Sequence, residues 1–238
     1  MSSGIYIATA GAVAQANALD ATSNNIANAS TAGFHGDRIT FKEALTAAKS
    51  KDVAVVGGGT SRVDSQAGAM SQTGNPLDLA LEGDGMFAVQ TPNGPRYTRA
   101  GNFQLDDTRR LVTVDGLQVR GEGGAPISIP PEAQAISIGA DGTVSADGTQ
   151  VGKLELVNFA SKQLKREGSS LFSASGKQTT TGEPPKVRSG MLESSNVNVV
   201  RGVVDLVKVS RQYESLMRVI QGYHDVESRA ARDIGGPK

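Results

Sequence analysis

Apolar and small residues recur at alternating spacings of three and four at both ends of the chain, and this pattern constrains the fold more than any other feature. Such spacing places side chains on one face of an α-helix. In residues 4–34 the stripe is Ile5, Ala8, Ala12, Gln15, Leu19, Thr22 and Ile26. In residues 196–231 it is Val199, Val203, Leu206, Ser210, Tyr213, Met217 and Ile220. The sequence therefore predicts a helix near each terminus.

The N-terminal stripe is shallow, because alanine occupies it as often as a larger side chain does. A lone helix of about 25 residues with so little apolar surface is marginal in water, so it needs a partner. The C-terminal stripe keeps a period near 3.5 over more than three heptads, which is typical of a coiled-coil seam. We expect the two terminal helices to pair.

Residues 66–190 show short apolar alternations interrupted by turn sequences, a pattern that predicts half-buried strands. Asp-Gly and Asn-Gly pairs favour hairpin turns, since both central positions adopt positive φ. The predicted strand residues are Phe87, Val89, Tyr97, Phe103, Leu105, Leu117, Val119, Ile127, Ile129, Ile136, Ile138, Leu154 and Leu156. The predicted class is α+β, a discontinuous coiled coil of N- and C-terminal helices with an inserted all-β domain. The expected parts are 1–40 (N-terminal helix), 41–65 (extended connector), 66–190 (outer β domain) and 191–238 (C-terminal helix).

The composition argues against several classes of function. The 238 residues include 24 basic and 24 acidic ones, so no general attraction to nucleic acid or to an anionic membrane is expected. Cysteine is absent, which excludes disulfides, thiolate metal sites and cysteine nucleophiles. No apolar run approaches the ~18 residues of a membrane span, and the N-terminus lacks the pattern of a cleaved signal peptide. We expect no direct insertion into a membrane.

The acidic residues and the two histidines do not suggest a catalytic, cofactor-binding or metal site. Glu82 and Asp84 in "LEGDGMF" favour a turn before a strand, whereas an enzyme acting on cell-wall glycan would need them paired in a cleft. His35 follows the expected end of the first helix, where a cationic side chain sits well against exposed carbonyl groups. His224 lies on a mostly polar helix and could share a metal with His35 only if the chain termini pair.

The segment "SNNIANASTAGF", residues 23–34, places three asparagines near the expected helix end. Asn28 and Gly33 suit an ending helix, with Gly33 in the left-handed conformation. Asn24 and Asn25 lie one turn earlier, where amides can instead fix the register and the partner of a coiled coil. The residues alone leave two interpretations open, an ordinary helix end or contacts of the three asparagines with neighbouring subunits.

Four motifs spread along the chain resemble those of the bacterial flagellar rod and hook proteins. They are "LDATSNNIANASTAGF" (19–34), "NPLDLALEGDGMFAV" (75–89), "YTRAGNF" (97–103), and "SGMLESSNVN" (189–198) followed by "RQYE" (211–214). The short middle region and "ANASTAGF" are most similar to the proximal rod type, with the distal rod type as the alternative. Two positions depart from the family pattern: Met86 replaces a usual aromatic residue, and His35 replaces a common lysine or arginine.

The resemblance implies a structural subunit and not an enzyme. Copies of the chain and other rod proteins would assemble through an inner layer of terminal helices into the torque-transmitting rod that crosses the periplasm. Export would use the flagellar type III apparatus without a cleaved signal peptide, and neither a cofactor nor nucleic acid is expected. An adaptor or cap that binds the growing rod is the alternative. The expected interface residues are Ile5, Ala12, Leu19, Asn24, Asn25, Ile26, Asn28, Phe34, Val199, Val203, Leu206, Tyr213, Met217 and Ile220.

Overall fold

A computed structural model describes residues 2–45, 54–176, 178–179 and 184–235. The chain forms two compact units, each assembled from segments that are distant in sequence. The helical unit comprises Met1–Ala27, Asp37–Arg62 and Asn198–Lys238, and the β unit comprises Asn28–Gly36 and Val63–Val197. The predicted α+β class, with terminal helices and an inserted β region, is confirmed.

The helical unit is built on two long helices, α1 (Ser2–Ala27) and α2 (Val199–Gly235), and on the paired strands β1 (Asp37–Leu45) and β2 (Ala54–Val63). The helices pack antiparallel, because Gly4 lies beside Tyr223 while Ile26 lies beside Gly202. A Cβ atom at Gly4 would lie 2.5 Å from the Tyr223 hydroxyl oxygen, so glycine permits this close approach. Among the α1 side chains that the structure describes, the buried ones are alanines: Ala8, Ala12, Ala14 and Ala18.

The β unit consists of short strands joined by tight turns. Its strands are β3 (Met70–Gln72), β4 (Leu79–Glu82), β5 (Met86–Thr91), β6 (Gly94–Thr98), β7 (Phe103–Leu105), β8 (Leu111–Thr113), β9 (Gln118–Val119), β10 (Ile136–Ile138), β11 (Thr143–Ala146), β12 (Thr149–Lys153), β13 (Leu156–Val157), β14 (Leu164–Glu167), β15 (Leu171–Ala174), β16 (Lys186–Ser189) and β17 (Met191–Glu193). The largest sheet has the order β14-β15-β6-β5-β9-β8-β7, with β13 also paired to β5. The β10–β12 meander and the antiparallel pairs β16–β4 and β17–β3 complete the unit.

The predicted hairpin turns are confirmed where Asp-Gly joins neighbouring strands. Asp147 and Gly148 connect β11 to β12 with φ of 49° and 81°, the two positive values of a two-residue hairpin turn. The Asn-Gly pair between β5 and β6 differs from the prediction, because Gly94 already lies in β6, paired with Thr91 of β5, and the two turn residues are Pro92 and Asn93. Local turn chemistry therefore accounts for the pairing of β11 with β12.

Strand β5 differs from its prediction, because it is buried on both faces instead of one. Phe87 and Val89 enter the larger hydrophobic cluster, in which the rings of Phe87 and Phe103 meet edge to face with centroids 5.1 Å apart. The alternate residue Met86 enters a second cluster with Phe172 and neighbouring side chains. Ile127 and Ile129 are buried as expected, but they lie in a segment that forms only isolated bridges.

None of the helices in the described ranges combines the length and the apolar character that a membrane span requires.

Candidate functional site

The expected interface residues of the two helices fall into two groups. The first group is partly or fully buried within the helical unit and consists of Ile5, Ala12, Leu19, Asn25, Ile26, Leu206, Tyr213, Met217 and Ile220. The second group is exposed and consists of Asn24, Val199 and Val203. The predicted stripe of α2 therefore lies partly in the seam with α1 and partly on the neighbouring surface of the helix.

Five valines form an exposed ridge over the first turns of α2, which we call the valine ridge: Val199, Val200, Val203, Val204 and Val207. Their exposed fractions range from 45% to 76%, although valine is among the residues most often buried in proteins. Beyond Val207 the same flank carries Arg211, Glu214 and Arg218, so on this flank the apolar surface ends with Val207. Contiguous exposed apolar surface of this kind marks sites of protein–protein contact.

An open groove runs along the seam between the two helices. It has a volume of about 540 Å³ and is lined by small residues of α1 such as Gly4 and Gly11 and by Leu216 and Tyr223 of α2. The side-chain oxygen of Gln15 is buried there without a hydrogen-bond partner among the described residues. Alanine and glycine bring the helix backbones together but leave the space that larger side chains would occupy.

Asn25 fixes the beginning of β1 to the end of α1. Its side-chain nitrogen donates to the Asp37 carbonyl oxygen at 2.9 Å, and its side-chain oxygen accepts from the Asp37 amide at 2.8 Å. One amide group thus satisfies both backbone groups of a single residue. Asn25 is therefore engaged within its own chain.

Residues 28–36, which we call the strap, pack onto the β unit. The Gly33 amide donates to the Glu193 carbonyl oxygen at 2.7 Å, and the Asn196 amide donates to the Phe34 carbonyl oxygen at 3.2 Å. The Gly36 amide donates to the side-chain oxygen of Asn196 at 2.8 Å. The strap is thereby fastened to the chain that follows β17.

Phe34 anchors the strap through its side chain, which is fully buried. The Arg166 guanidinium carbon lies 4.5 Å from the centre of the Phe34 ring and 5.0 Å from that of Phe172, so one cation contacts two aromatic faces. Arg166 also donates a hydrogen bond to the His35 carbonyl oxygen. Phe34, a predicted interface residue, is therefore buried in the β unit. Asn28, another predicted interface residue, belongs to the same unit.

The strap residue His35 forms a buried ionic cluster with Arg99 and Glu193. His35 Nε2 is 2.8 Å from Glu193 Oε1, and Arg99 donates to Glu193 Oε2 at 3.3 Å. Arg99 also donates to the carbonyl oxygens of Leu81 at 3.1 Å and Gly83 at 2.6 Å. Oε1 of Glu193 accepts a further bond from the Gly68 amide at 2.9 Å, so the carboxylate is closely surrounded by donors.

The environment keeps the Glu193 carboxylate ionised. Burial raises the pKa of Glu193, but hydrogen bonds from His35 and Gly68 and the charge of Arg99 outweigh burial and hold that pKa below its ordinary value. Burial lowers the pKa of the Arg99 guanidinium, and the charges of Glu193 and Asp84 oppose this shift. The two groups face each other as an ion pair.

The prediction that His35 sits against the carbonyl groups at the end of the first helix is wrong. The helix ends at Ala27, and both nitrogens of the His35 ring face acceptors in the β unit. The predicted left-handed conformation of Gly33 is confirmed by its φ of 64°, although this residue lies beyond the helix end as well.

The predicted turn at Glu82 and Asp84 is confirmed, because it joins β4 to β5. Glu82 forms an exposed ion pair with Arg188 across the β4–β16 pair, with a distance of 2.6 Å from Arg188 Nη2 to Glu82 Oε2. Asp84 borders a separate cavity of about 260 Å³ beside His35 and Arg99. Within the described ranges, no three His, Asp or Glu side chains are grouped so that they could hold a metal ion.

Sequence reasoning did not identify Arg99, Arg166 or Glu193 as important residues. Arg99 and Glu193 both lie inside the motifs "YTRAGNF" and "SGMLESSNVN". The sequence signal that could have identified these two residues is a charged side chain inside a motif and outside a turn sequence. Arg166 carries no comparable signal, since only the folded chain brings it to Phe34.

Three family models match successive parts of the chain. The model described as "Flagella basal body rod protein" matches residues 5–35, and "Flagellar hook protein FlgE/F/G D1 domain" matches residues 80–146. The model described as "Flagellar basal body rod FlgEFG protein C-terminal" matches residues 188–233. The matches cover the first helix with the strap, much of the β unit, and the second helix with β17.

Curated relatives match over nearly the whole chain. The flagellar basal-body rod protein FlgF of Rhizobium meliloti is 32% identical over 241 residues, covering 100% of both chains. FlgF of Escherichia coli is 36% identical, covering 97% of both chains. The flagellar basal-body rod protein FlgG of Bacillus subtilis is 37% identical, covering 85% of this chain and 88% of its own.

Proposed function

Since the chain belongs to the family of flagellar basal-body rod proteins, we propose that it is an FlgF-like subunit of the proximal rod. Full-length similarity to FlgF proteins of several bacteria supports this assignment over the distal type. The alternative is a distal, FlgG-like subunit, which the 37% identity to the Bacillus subtilis FlgG favours. In either case the chain is a structural subunit of the flagellar basal body.

The valine ridge is the observation that carries the proposed mechanism of assembly. Burying a valine side chain fully against a neighbour contributes about 1.5 kcal/mol, so five partly exposed valines offer several kilocalories per subunit contact. The helix α1 does not cover the valine ridge, because α1 packs against a different face of α2. A ridge on one molecule that meets a different surface on the next gives a non-closing contact, which builds a helix of subunits.

The remaining expected interface residues enter the same proposal with different roles. Val199 and Val203 would contact a neighbouring subunit directly, because they are exposed in the single chain. Leu206, Tyr213 and Ile220 would act indirectly, by holding the α1–α2 pair that presents the ridge. The partners would be copies of the chain and other rod proteins, delivered by the flagellar export apparatus.

Complementation of motility tests both the position in the rod and the role of the ridge. Salmonella strains that lack FlgF or FlgG would each express this chain, and swimming would be scored in soft agar. We expect swimming to return in the strain without FlgF only; its return only in the strain without FlgG would assign the distal position.

The same assay with Val204→Asp tests the ridge. We expect the variant to be exported and to keep its helix content, while swimming falls to the level of the deletion strain. The control is Gln212→Asp, which places the same charge on the exposed polar face of α2. Full swimming by the Val204→Asp variant would exclude the ridge as an assembly contact. An adaptor or cap would differ in requiring the β unit but not the ridge.

A further inference from the structure

The open groove between α1 and α2, which we call the seam groove, is an apolar surface that the helical unit leaves uncovered. One side of it is lined by small residues of α1, among them Gly4 and Gly11, and the other side by Val219 and Tyr223 of α2. Val219 is 46% exposed and Tyr223 is 36% exposed. The side-chain oxygen of Gln15 is buried there with no hydrogen-bond partner in the part of the chain that the structure describes. A buried acceptor of this kind indicates that the groove is incomplete in the single chain.

Neither side of the seam groove carries a charge. The first charged residue of the chain is Asp20, although 20% of all residues are charged. The α2 residues that line the groove, Leu216, Val219 and Tyr223, are uncharged as well. A helix face that stays in water usually carries charged or polar side chains. The seam groove is therefore suited to an apolar occupant that brings no charge into it.

The valine ridge has the complementary properties. It is convex and apolar, and it runs from Val199 to Val207, or about 12 Å along the helix. The seam groove runs from Gly4 to Gln15 of α1, or about 16 Å, so the ridge fits within its length. Valine is stiff at χ1, so its side chain loses little freedom when it is buried.

The ridge and the groove lie on opposite faces of α2 and at different heights along it. At 3.6 residues per turn, the middle of the ridge is roughly 160° around the helix from Leu216, Val219 and Tyr223. Val203 in the ridge and Val219 in the groove are separated by 16 positions, or about 24 Å along the helix. A copy displaced by that distance, with little rotation, therefore presents its ridge to the groove of the next copy.

We propose that the seam groove of one chain receives the valine ridge of a second copy, with the two helix pairs parallel and staggered by about 24 Å. The inference rests on the proposed function, in which the ridge is an assembly contact, and it names the surface that the ridge meets. Because the two surfaces differ, each contact leaves one ridge and one groove free for further copies. A ridge that met another ridge would give a closed dimer instead.

Disulfide cross-linking tests this contact, because the chain contains no cysteine of its own. The variant Val203→Cys/Val219→Cys of the full chain has one thiol on the ridge and one in the groove. The two positions cannot be bridged within one chain, since a disulfide needs Cα atoms less than about 7 Å apart. Mild oxidation of the purified variant in concentrated solution should give a ladder of dimers, trimers and longer species on a non-reducing gel. An absent ladder would overturn the proposal and leave the groove to a different protein.

The matched control is Val203→Cys/Arg218→Cys. Arg218 is the neighbour of Val219 in sequence, but its exposed side chain lies on the side of α2 that faces away from the groove. We expect about tenfold less multimer from this control, because disulfide geometry is specific. Equal ladders would indicate random collisions and would overturn the proposal. A dimer of equal abundance from Val203→Cys alone would show that ridge meets ridge, which would overturn it as well.

A charge on the ridge should remove the ladder while the helices stay folded, as circular dichroism would verify. We expect Val204→Asp to abolish the ladder of Val203→Cys/Val219→Cys, whereas Ser228→Asp, at an exposed position outside both surfaces, leaves it unchanged. A ladder that survives Val204→Asp would overturn the proposal. Swimming tests the assignment to the rod separately, so a chain that restores swimming without forming the ladder keeps that assignment and loses this contact.

Discussion

At the scale of single residues, Glu193 is the most constrained charge in the β unit. Its carboxylate accepts hydrogen bonds from His35, Arg99 and Gly68 while its side chain is inaccessible to water. A carboxylate with that many donors joins segments that are distant in sequence, because His35 precedes it by 158 positions. Glu193 therefore holds the strap and the loop after β6 to β17.

We predict that Glu193→Gln lowers the free energy of unfolding by about 3 kcal/mol at pH 7, since the amide presents two protons to donors and leaves buried charges unpaired. The measurement is urea unfolding followed by circular dichroism. Glu82→Gln is the matched control, because Glu82 also pairs with an arginine but is exposed; its loss should not exceed about 0.5 kcal/mol. Equal losses in the two variants would contradict the role of Glu193.

The pH dependence of stability should follow the same residue. The pKa of Glu193 is lower in the folded chain than its ordinary value, so its contribution is present above that ordinary value and is lost as the pH falls through the folded one. We expect the stability difference between the original chain and Glu193→Gln to shrink steadily as the pH falls below the ordinary pKa of a glutamate side chain, about 4.3. A constant difference, measured by urea unfolding over this fall in pH, would show that the carboxylate is not ionised in the fold.

Gly33 offers a second test at this scale. Its φ is 64°, and a Cβ atom there would lie 2.3 Å from the backbone of Arg99 and Ala100. We predict that Gly33→Ala lowers the free energy of unfolding by about 3 kcal/mol or more. The control is Gly74→Ala, which has a φ of 79° but no atom near the added methyl group, and which should lose only about 1 kcal/mol. Similar losses of stability in the two variants would mean that the strap shifts to accommodate the added methyl group at little cost.

At the scale of elements, the pairing of α1 with α2 rests on small residues and a few larger side chains. Alanines of α1 are buried and an open groove of about 540 Å³ runs along the seam, so little large apolar surface is buried between the two helices. Ile220 is one of the larger residues that α2 buries partly in this unit. The pair should therefore be sensitive to the loss of a single apolar side chain.

We predict that Ile220→Asp separates the helices and abolishes incorporation into the rod while the β unit stays folded. Burying a carboxylate in the seam costs about 2 kcal/mol or more, which a pair held mainly by small residues cannot offset. The measurement is the loss of helical circular dichroism, with swimming as the assay of incorporation. Val226→Asp is the control, because Val226 is 55% exposed on the same helix. Unchanged helix content in Ile220→Asp would contradict the seam.

At the scale of the whole molecule, the chain contains two units with separate cores. The β unit has two hydrophobic clusters around β5, whereas the buried side chains described in the helical unit are alanines. Units of such different packing are not expected to unfold as one cooperative system. The stability of the full chain is therefore a property of each unit and not one number.

We predict that limited proteolysis of the full chain removes the terminal helices first and leaves a fragment near residues 28–197, which keeps both segments of the β unit. The reason is that opening the α1–α2 pair exposes little apolar surface, while opening the β unit exposes both clusters. Mass spectrometry of the surviving fragment is the measurement. Preferential survival of the helices would reverse the assigned order of stability.

The sequence by itself determined the elements that depend on local periodicity and turn chemistry. Three-four spacing predicted α1 and α2, alternation with Asp-Gly and Asn-Gly turns predicted the inserted β region, and ordered motifs indicated the family. These signals lie within a few residues of one another, so no knowledge of distant contacts is needed to read them.

Only the tertiary structure decided which charges are paired and which apolar faces remain exposed. Glu193 is paired with His35 because the folded strap crosses β17, and nothing within a few residues of either position indicates this. Likewise, the period of α2 could not tell which valines face α1 and which remain on the ridge, since neighbouring stripes of one helix share the same spacing. Burial and long-range pairing are properties of the packed chain, and a local pattern does not contain them.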